Sequence, residues 1–272
     1  NKDIKNPHWI YPGQKIQVFL KTKPVLKSKV VKTLKTRQNG SPVKVETIFS
    51  FSKMDDVGFL KKKAEPFLGT IIKEQDNNLM MATNDIVYIN PSGKGALIVG
   101  KTYQIFTFSK VEEKINHDLF KGVKHLIKAQ VKILEIKKDY AIGSITHAYR
   151  PVNKGDLIME YYKREPVLMV ENNPAPIDAR LICSEDNHLM INDYIIAFID
   201  AGSDSVKPGQ IYSILRKNEI KDNSLWPLKK KNSIQLENLE SGKLIVLHTE
   251  KTASTVMILS SKYAIYPNDM VN

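Results

Sequence analysis

Residues 69–89 read GTIIKEQDNNLMMATNDIVYI, and residues 179–199 read ARLICSEDNHLMINDYIIAFI. The two stretches align without a gap at an offset of 110. Seven of their 21 positions are identical: Ile72/Ile182, Asp76/Asp186, Asn77/Asn187, Leu79/Leu189, Met80/Met190, Ile86/Ile196 and Ile89/Ile199. Such a repeat has to be read before any single element, because it says that one unit is written twice. The likeness continues with small shifts. Gly100-Lys-Thr-Tyr103 matches Gly209-Gln-Ile-Tyr212, Lys132–Ile136 matches Ile245–Thr249, and Asn153-Lys-Gly-Asp156 matches Tyr266-Pro-Asn-Asp269. Each copy spans about 90 residues, a small domain rather than a solenoid repeat.

The periodicity within each copy is that of strands. Tyr103-Gln-Ile-Phe-Thr-Phe is rich in β-branched and aromatic residues, and Ala129-Gln-Val-Lys-Ile-Leu-Glu-Ile alternates apolar with polar. Ile234-Gln-Leu-Glu-Asn-Leu and Lys243-Leu-Ile-Val-Leu-His follow the same pattern. Asp76-Asn77 and Asp186-Asn187 lie between apolar runs and read as turns, since Asn tolerates the left-handed backbone. Gly155-Asp156 and Asn268-Asp269 mark a second shared turn. No stretch shows a capped 3.6-residue period. The fold expected is mainly β: two tandem homologous small β-barrel or sandwich domains, at 66–165 and 166–272. Before them, 19–65 reads as a basic linker with an additional strand at Val45-Glu-Thr-Ile-Phe-Ser-Phe. There Phe59-Leu-Lys-Lys-Lys-Ala-Glu-Pro reads as a short helical turn.

The 272 residues carry 41 Lys and Arg against 29 Asp and Glu, a net charge of +12. With 42% hydrophobic and 26% charged residues, the chain can build cores and is not disordered throughout. Lys outnumbers Arg heavily and is spread out, with short runs at Lys61–Lys63 and Lys229–Lys231 and a basic stretch from Lys21 to Arg37. That distribution suits exposed strands, whose edges Lys protects, better than one concentrated face for nucleic acid. A single cysteine excludes a disulfide framework. No apolar run reaches the roughly 18–20 residues of a membrane-spanning helix. The chain opens at Asn1 without Met, so a targeting signal is expected upstream.

Reactive centres find little support. Gly95-Ala-Leu-Ile-Val-Gly100-Lys101-Thr102 fits the spacing of a phosphate-binding loop. Its middle is bulky, however, and it leads into a strand rather than a helix, so Gly100 reads as a turn glycine. His8, His117, His125, His147, His188 and His248 include no helical metal pair and read as surface or half-buried strand residues. Cys183 aligns with Lys73, which places it where a polar side chain is tolerated. Asp55-Asp56-Val57-Gly58 reads as a turn before a strand at Phe59, and Asn39-Gly40-Ser41 as a turn. No catalytic residue, cofactor or metal site is expected.

The first eighteen residues carry a different signal. Asn6-Pro7-His8-Trp9-Ile10-Tyr11-Pro12-Gly13-Gln14-Lys15-Ile16 resembles the closing half of a LysM domain. That family ends on Asn-Pro-x-x-Ile-x-x-Gly-Gln-x-Leu/Ile and a short strand. The match covers residues 1–18, and the family's opening strand and first helix would lie before Asn1. The resemblance implies binding of peptidoglycan, a GlcNAc-containing glycan, with Asn6, Pro7, Trp9, Ile10, Tyr11 and Gly13 as the contact residues. Aromatic rings beside amides suit a sugar's C–H faces and N-acetyl groups. The remainder resembles the C-terminal domain of flagellar assembly protein T at Gly100-Lys-Thr-Tyr, Val131-Lys-Ile-Leu-Glu-Ile and Pro151-Val-Asn-Lys-Gly155-Asp156. The protein expected is therefore non-catalytic, in the periplasm or cell envelope, peripheral to the membrane, with peptidoglycan and envelope or flagellar-type proteins as partners and no nucleic acid. Two other readings stay open here: a basic small-barrel nucleic-acid binder, and the non-catalytic part of a peptidoglycan hydrolase.

Overall fold

The structure, a computed structural model, describes residues 26–27, 47–91, 96–116, 118–221 and 233–272. It is nearly all β; the helical content among the described residues is one 3-10 turn, Met54–Asp56. Before the first repeat come β1 (Ile48–Ser50), with which the short strand Leu26–Lys27 pairs, and β2 (Phe59–Lys61). Its strands are β3 (Gly69–Glu74), β4 (Ile86–Asn90), β5 (Thr102–Ile115), β6 (Asp118–Ile136), β7 (Ala141–Ala148) and β8 (Leu157–Glu160). After a connecting strand β9 (Val167–Met169), the second repeat supplies β10 (Ala179–Ser184), β11 (Ile196–Ile199), β12 (Ile211–Arg216), β13 (Leu239–Thr249), β14 (Ser254–Ser261) and β15 (Met270–Val271).

Each repeat closes into a six-stranded antiparallel barrel with the same Greek-key order. The first runs β3-β4-β7-β6-β5-β8 and returns to β3; the second runs β10-β11-β14-β13-β12-β15 and returns to β10. Closure leaves no open sheet edge within a barrel. The interiors correspond residue by residue. Ile71, Val87, Ile89, Tyr103, Ile105, Val131, Ile133 and Ile145 fill one; Leu181, Ala197, Ile199, Tyr212, Ile214, Leu244, Val246 and Ile258 fill the other.

Irregular backbone is shared as closely as the core. Bulges fall at Ile71/Lys73 and Leu181/Cys183, and again at Ile105/Phe106 and Ile214/Leu215. Left-handed residues pair as Asn77 with Asn187, Asn84 with Tyr194, Gly100 with Gly209, and Gly155 with Asn268. Tyr194 is a poor residue for that conformation. It adopts it because its N–H donates to Ile258 O, just as that of Asn84 donates to Ile145 O, both at 2.8 Å. Ring closure thus dictates the turn, and the side chain follows.

The barrels are packed into one body. Strands β5 and β6 run beyond the first barrel as a long hairpin arm, paired out to Ile115 and Asp118. Val111 and Ile115 of the arm, with Leu60, bury Ile182, Cys183 and Phe198 on the outer face of β10–β11. The lead-in segment packs on the far barrel: Phe49, Met54 and Val57 lie against Ile245, Leu247 and Met257. Of the two readings at Phe59, the strand is the one found: Phe59–Lys61 pairs with Val123–His125, and the helical turn does not form there. The cause is tertiary, because the arm offers β2 an open ladder. Cys183 is also not in a polar-tolerant place. It is buried against the arm, and burial pushes its thiol up to about 11.

Candidate functional site

The junction of the barrels is built around Glu185. Its carboxylate, almost wholly buried, accepts from Gly58 N (2.6 Å) and from Arg150 Nη2 (2.7 Å). Arg150 also donates to the carbonyls of Asp56 and Ile127. Lys124 donates to Glu185 O and to Asn187 Oδ1, both at 2.6 Å. Thr255 Oγ1 donates to Gly58 O. Burial raises the Glu185 pKa in spite of Arg150 and the Gly58 N–H. Arg150 and Lys124 of the first repeat bind the second directly, and Gly58 of the lead-in segment is bound by Glu185 and Thr255, so the junction holds the barrels in one relative orientation.

Beside it opens a cleft of about 640 Å³, lined by Phe59, Lys61, Glu65, Pro66, Leu68, Met159, Tyr162, Lys163, Arg164, His248 and Glu250 among others. Strand β2 gives it an aromatic and a lysine, the segment after β8 gives Tyr162 to Arg164, and β13 gives His248. Lys61 pairs with Glu65 (2.7 Å) and Glu250 (3.6 Å), and His248 Nε2 lies 3.0 Å from Glu250 Oε1. Burial works against the lysine's charge, but the two carboxylates outweigh it and hold Lys61 above its ordinary range. Burial lowers His248, so its contact with Glu250 at neutral pH is a hydrogen bond from the ring to the carboxylate. Arg164 donates Nη1 to Val57 O and lies 5.9 Å from the Phe59 ring centroid. Burial lowers its pKa too, with Glu250 and Asp55 opposing.

His248 has no hydroxyl or thiol hydrogen-bonded to it among the described residues. Its mates support a structural reading: His248 and Glu250 correspond to Glu135 and Lys137 of the first barrel, which form an ion pair at the same place. Among the described residues no cluster of three or more His, Cys, Asp and Glu is placed to hold a metal. Gly100 has φ +82° and leads into strand β5 rather than a helix, as a turn glycine should.

His125 departs from the sequence reading. Far from the surface, it is fully buried, stacked on Phe59 at 4.5 Å, and its Nε2 accepts from Glu65 N at 2.8 Å. Among the described residues its Nδ1 has no hydrogen-bond partner, and burial drives the pKa down to about 4. No sequence pattern announced this, because Phe59 lies 66 residues away. The predicted glycan contacts Asn6, Pro7, Trp9, Ile10, Tyr11 and Gly13 lie outside the described residues, as do His8, His117, Asn39-Gly40-Ser41, Lys229–Lys231 and all of 21–37 but Leu26–Lys27. The cleft itself, gathered from residues between 59 and 250, left no mark in the sequence.

Compared with known protein families and with curated proteins, the chain matches none. No helix among the described residues is long and apolar enough to cross a membrane.

Proposed function

We propose that this is a non-catalytic cell-envelope protein. It holds peptidoglycan through its N-terminal segment and presents a rigid twin-barrel body to protein or polymer partners. The observation that carries the reading is the fixed spacing of Asn6, Pro7, Ile10, Gly13, Gln14 and Ile16, with Trp9 and Tyr11 interleaved. The body supports a binding role: its repeats share cores and turns, and its cleft carries paired charges and aromatic walls in place of a reactive triad. In this reading the protein sits in the periplasm or envelope, and the charge of +12 favours residence among anionic polymers.

Sedimentation with purified sacculi tests it. The chain, extended upstream to a whole LysM unit, should pellet with sacculi and be released by Trp9→Ala with Tyr11→Ala. Failure of the extended protein to pellet would remove the anchoring role. The net charge also keeps nucleic-acid binding in view as a second reading. That reading requires affinity for mixed oligonucleotides that falls steeply with salt.

A further inference from the structure

Two arginines reach the lead-in segment, and their donors are used differently. Arg150 commits its guanidinium to the Glu185 carboxylate and to the carbonyls of Asp56 and Ile127. Arg164 makes one side-chain hydrogen bond, from Nη1 to Val57 O. Among the described residues it forms no ion pair, and its Nε–Nη2 edge meets no protein acceptor. The lysines beside it are already paired, Lys61 with Glu65 and Glu250, and Lys101 with Glu160. Arg164 is thus a half-buried cation with donors left over, and it lines the cleft.

The open edge is held in place. Arg164 N donates to Asp55 Oδ1 (3.0 Å), the other oxygen of that carboxylate accepts from Tyr161 Oη (3.0 Å), and the guanidinium lies 5.9 Å from the Phe59 ring centroid. A planar guanidinium fixed in this way loses little freedom on meeting a planar oxyanion through two parallel hydrogen bonds. The surroundings draw such a group in. Past Lys61, Glu65 and Glu250 the cleft continues into a hollow of about 450 Å³, lined also by Lys62, Lys63 and Lys251. Six cations, Lys61–Lys63, Lys163, Arg164 and Lys251, line the two spaces against three carboxylates, Glu65, Glu160 and Glu250. The described residues together are close to neutral, with 27 Lys and Arg against 26 Asp and Glu. The excess of cations therefore belongs to this mouth and is not a share of the overall charge.

We propose that the cleft binds a small organic carboxylate, its oxygens forked by Arg164 and its apolar body against Phe59, Leu68 and Met159. The three wall carboxylates oppose a dianion such as phosphate more than a singly charged group, and the apolar wall offers nothing to an inorganic ion. The volume of about 640 Å³ has room for a molecule the size of an acylated amino acid. This assignment goes beyond the glycan reading and does not rest on it, since the glycan contacts belong to residues 6–13.

Heteronuclear NMR titration of the full chain tests it, with N-acetylphenylalanine and the smaller benzoate as probes and N-acetylphenylalaninamide as the uncharged control. The acid should bind about tenfold or more tighter than its amide, with shifts at Phe59 and Arg164. Arg164→Gln and Arg164→Lys should each weaken the acid by about tenfold, because the ammonium keeps the charge and loses the fork, and neither should change the amide's affinity. Lys163→Glu, an exposed change at the rim, should weaken the acid by about threefold with the circular dichroism unchanged. Should the Arg164 variants fail to fold, the comparison of acid with amide and the Lys163→Glu variant decide by themselves. The proposal is overturned if neither acid binds, if acid and amide bind alike, or if folded Arg164→Lys binds as the parent does. It is equally overturned if inorganic phosphate binds more tightly than the acids.

Discussion

Phe198 in the second barrel and Tyr88 in the first stand at the same place on the outer face of the same strand. Phe198 is fully buried, whereas Tyr88 is half-exposed. Around Phe198 lie Ile182, Cys183 and Ala253, all covered by the arm. Around Tyr88 lie their mates Ile72, Lys73 and Tyr140. Lys73 sits over the Tyr88 ring at 5.6 Å, and Tyr140 meets it edge-on at 5.6 Å. One barrel face was given to a partner within the chain and became apolar. The other stayed in water and acquired residues with an apolar body and a polar end. The difference teaches that the barrel fold constrains the inside of each strand and leaves the outside to whatever packs there.

The strongest way to break that comparison is at the paired aromatics. Phe198→Ala should cost about 3–5 kcal/mol of unfolding free energy, and Tyr88→Ala less than about 1 kcal/mol. Urea denaturation of both variants checks this, and equal losses would mean that the arm does not cover the second barrel in solution.

The next effect lies in His125. Its folded pKa of about 4 lies below the ordinary 6.5, so the folded chain prefers the neutral ring. The stability this gives is complete above pH 6.5 and is lost as pH falls toward 4, on the order of 3 kcal/mol in all. His125→Phe keeps the stacking on Phe59 and should flatten that part of the stability–pH curve. An unchanged slope between parent and variant would show that the ring is not buried.

A smaller contrast comes from two glycines at one turn. A Cβ on Gly100 (φ +82°) would meet nothing, so Gly100→Ala should cost about 1–2 kcal/mol for the left-handed backbone alone. At Gly209 (φ +93°) a Cβ would strike the Met169 carbonyl of β9. Gly209→Ala should therefore cost clearly more than its mate, above about 2 kcal/mol, in thermal unfolding. Smallest of all, Gly155→Asn places in the first barrel the residue that the second uses at the same turn, Asn268. It should change the melting midpoint by an amount worth less than about 1 kcal/mol.

Much of the fold was legible because its signals are local. The Asp-Asn and Gly-Asp turns and the strand alternation concern neighbours in sequence, and most found their place in the barrels; of Ile234-Gln-Leu-Glu-Asn-Leu, Ile234 and Gln235 lie instead in a two-stranded ribbon with Glu219–Lys221. The additional strand before the repeats appears at Ile48–Ser50, and the turn before Phe59 is the 3-10 turn at Met54–Asp56. The misreadings at Phe59–Lys61, Cys183 and His125 share one cause. Each is decided by the arm or by an element packed against it, and the arm's packing partners are remote in the chain. The same holds for the cleft, whose ionic pairs join residues as far apart as Lys61 and Glu250.

By itself, then, the sequence determined that this protein is two copies of one small β-unit, because periodicity and turn chemistry act over a few residues and repeat visibly. Only the tertiary structure decided that the copies form one body around Glu185. It also decided that one outer face is buried while its twin is wet. Burial depends on what lies across from a side chain, and no one-dimensional pattern records that.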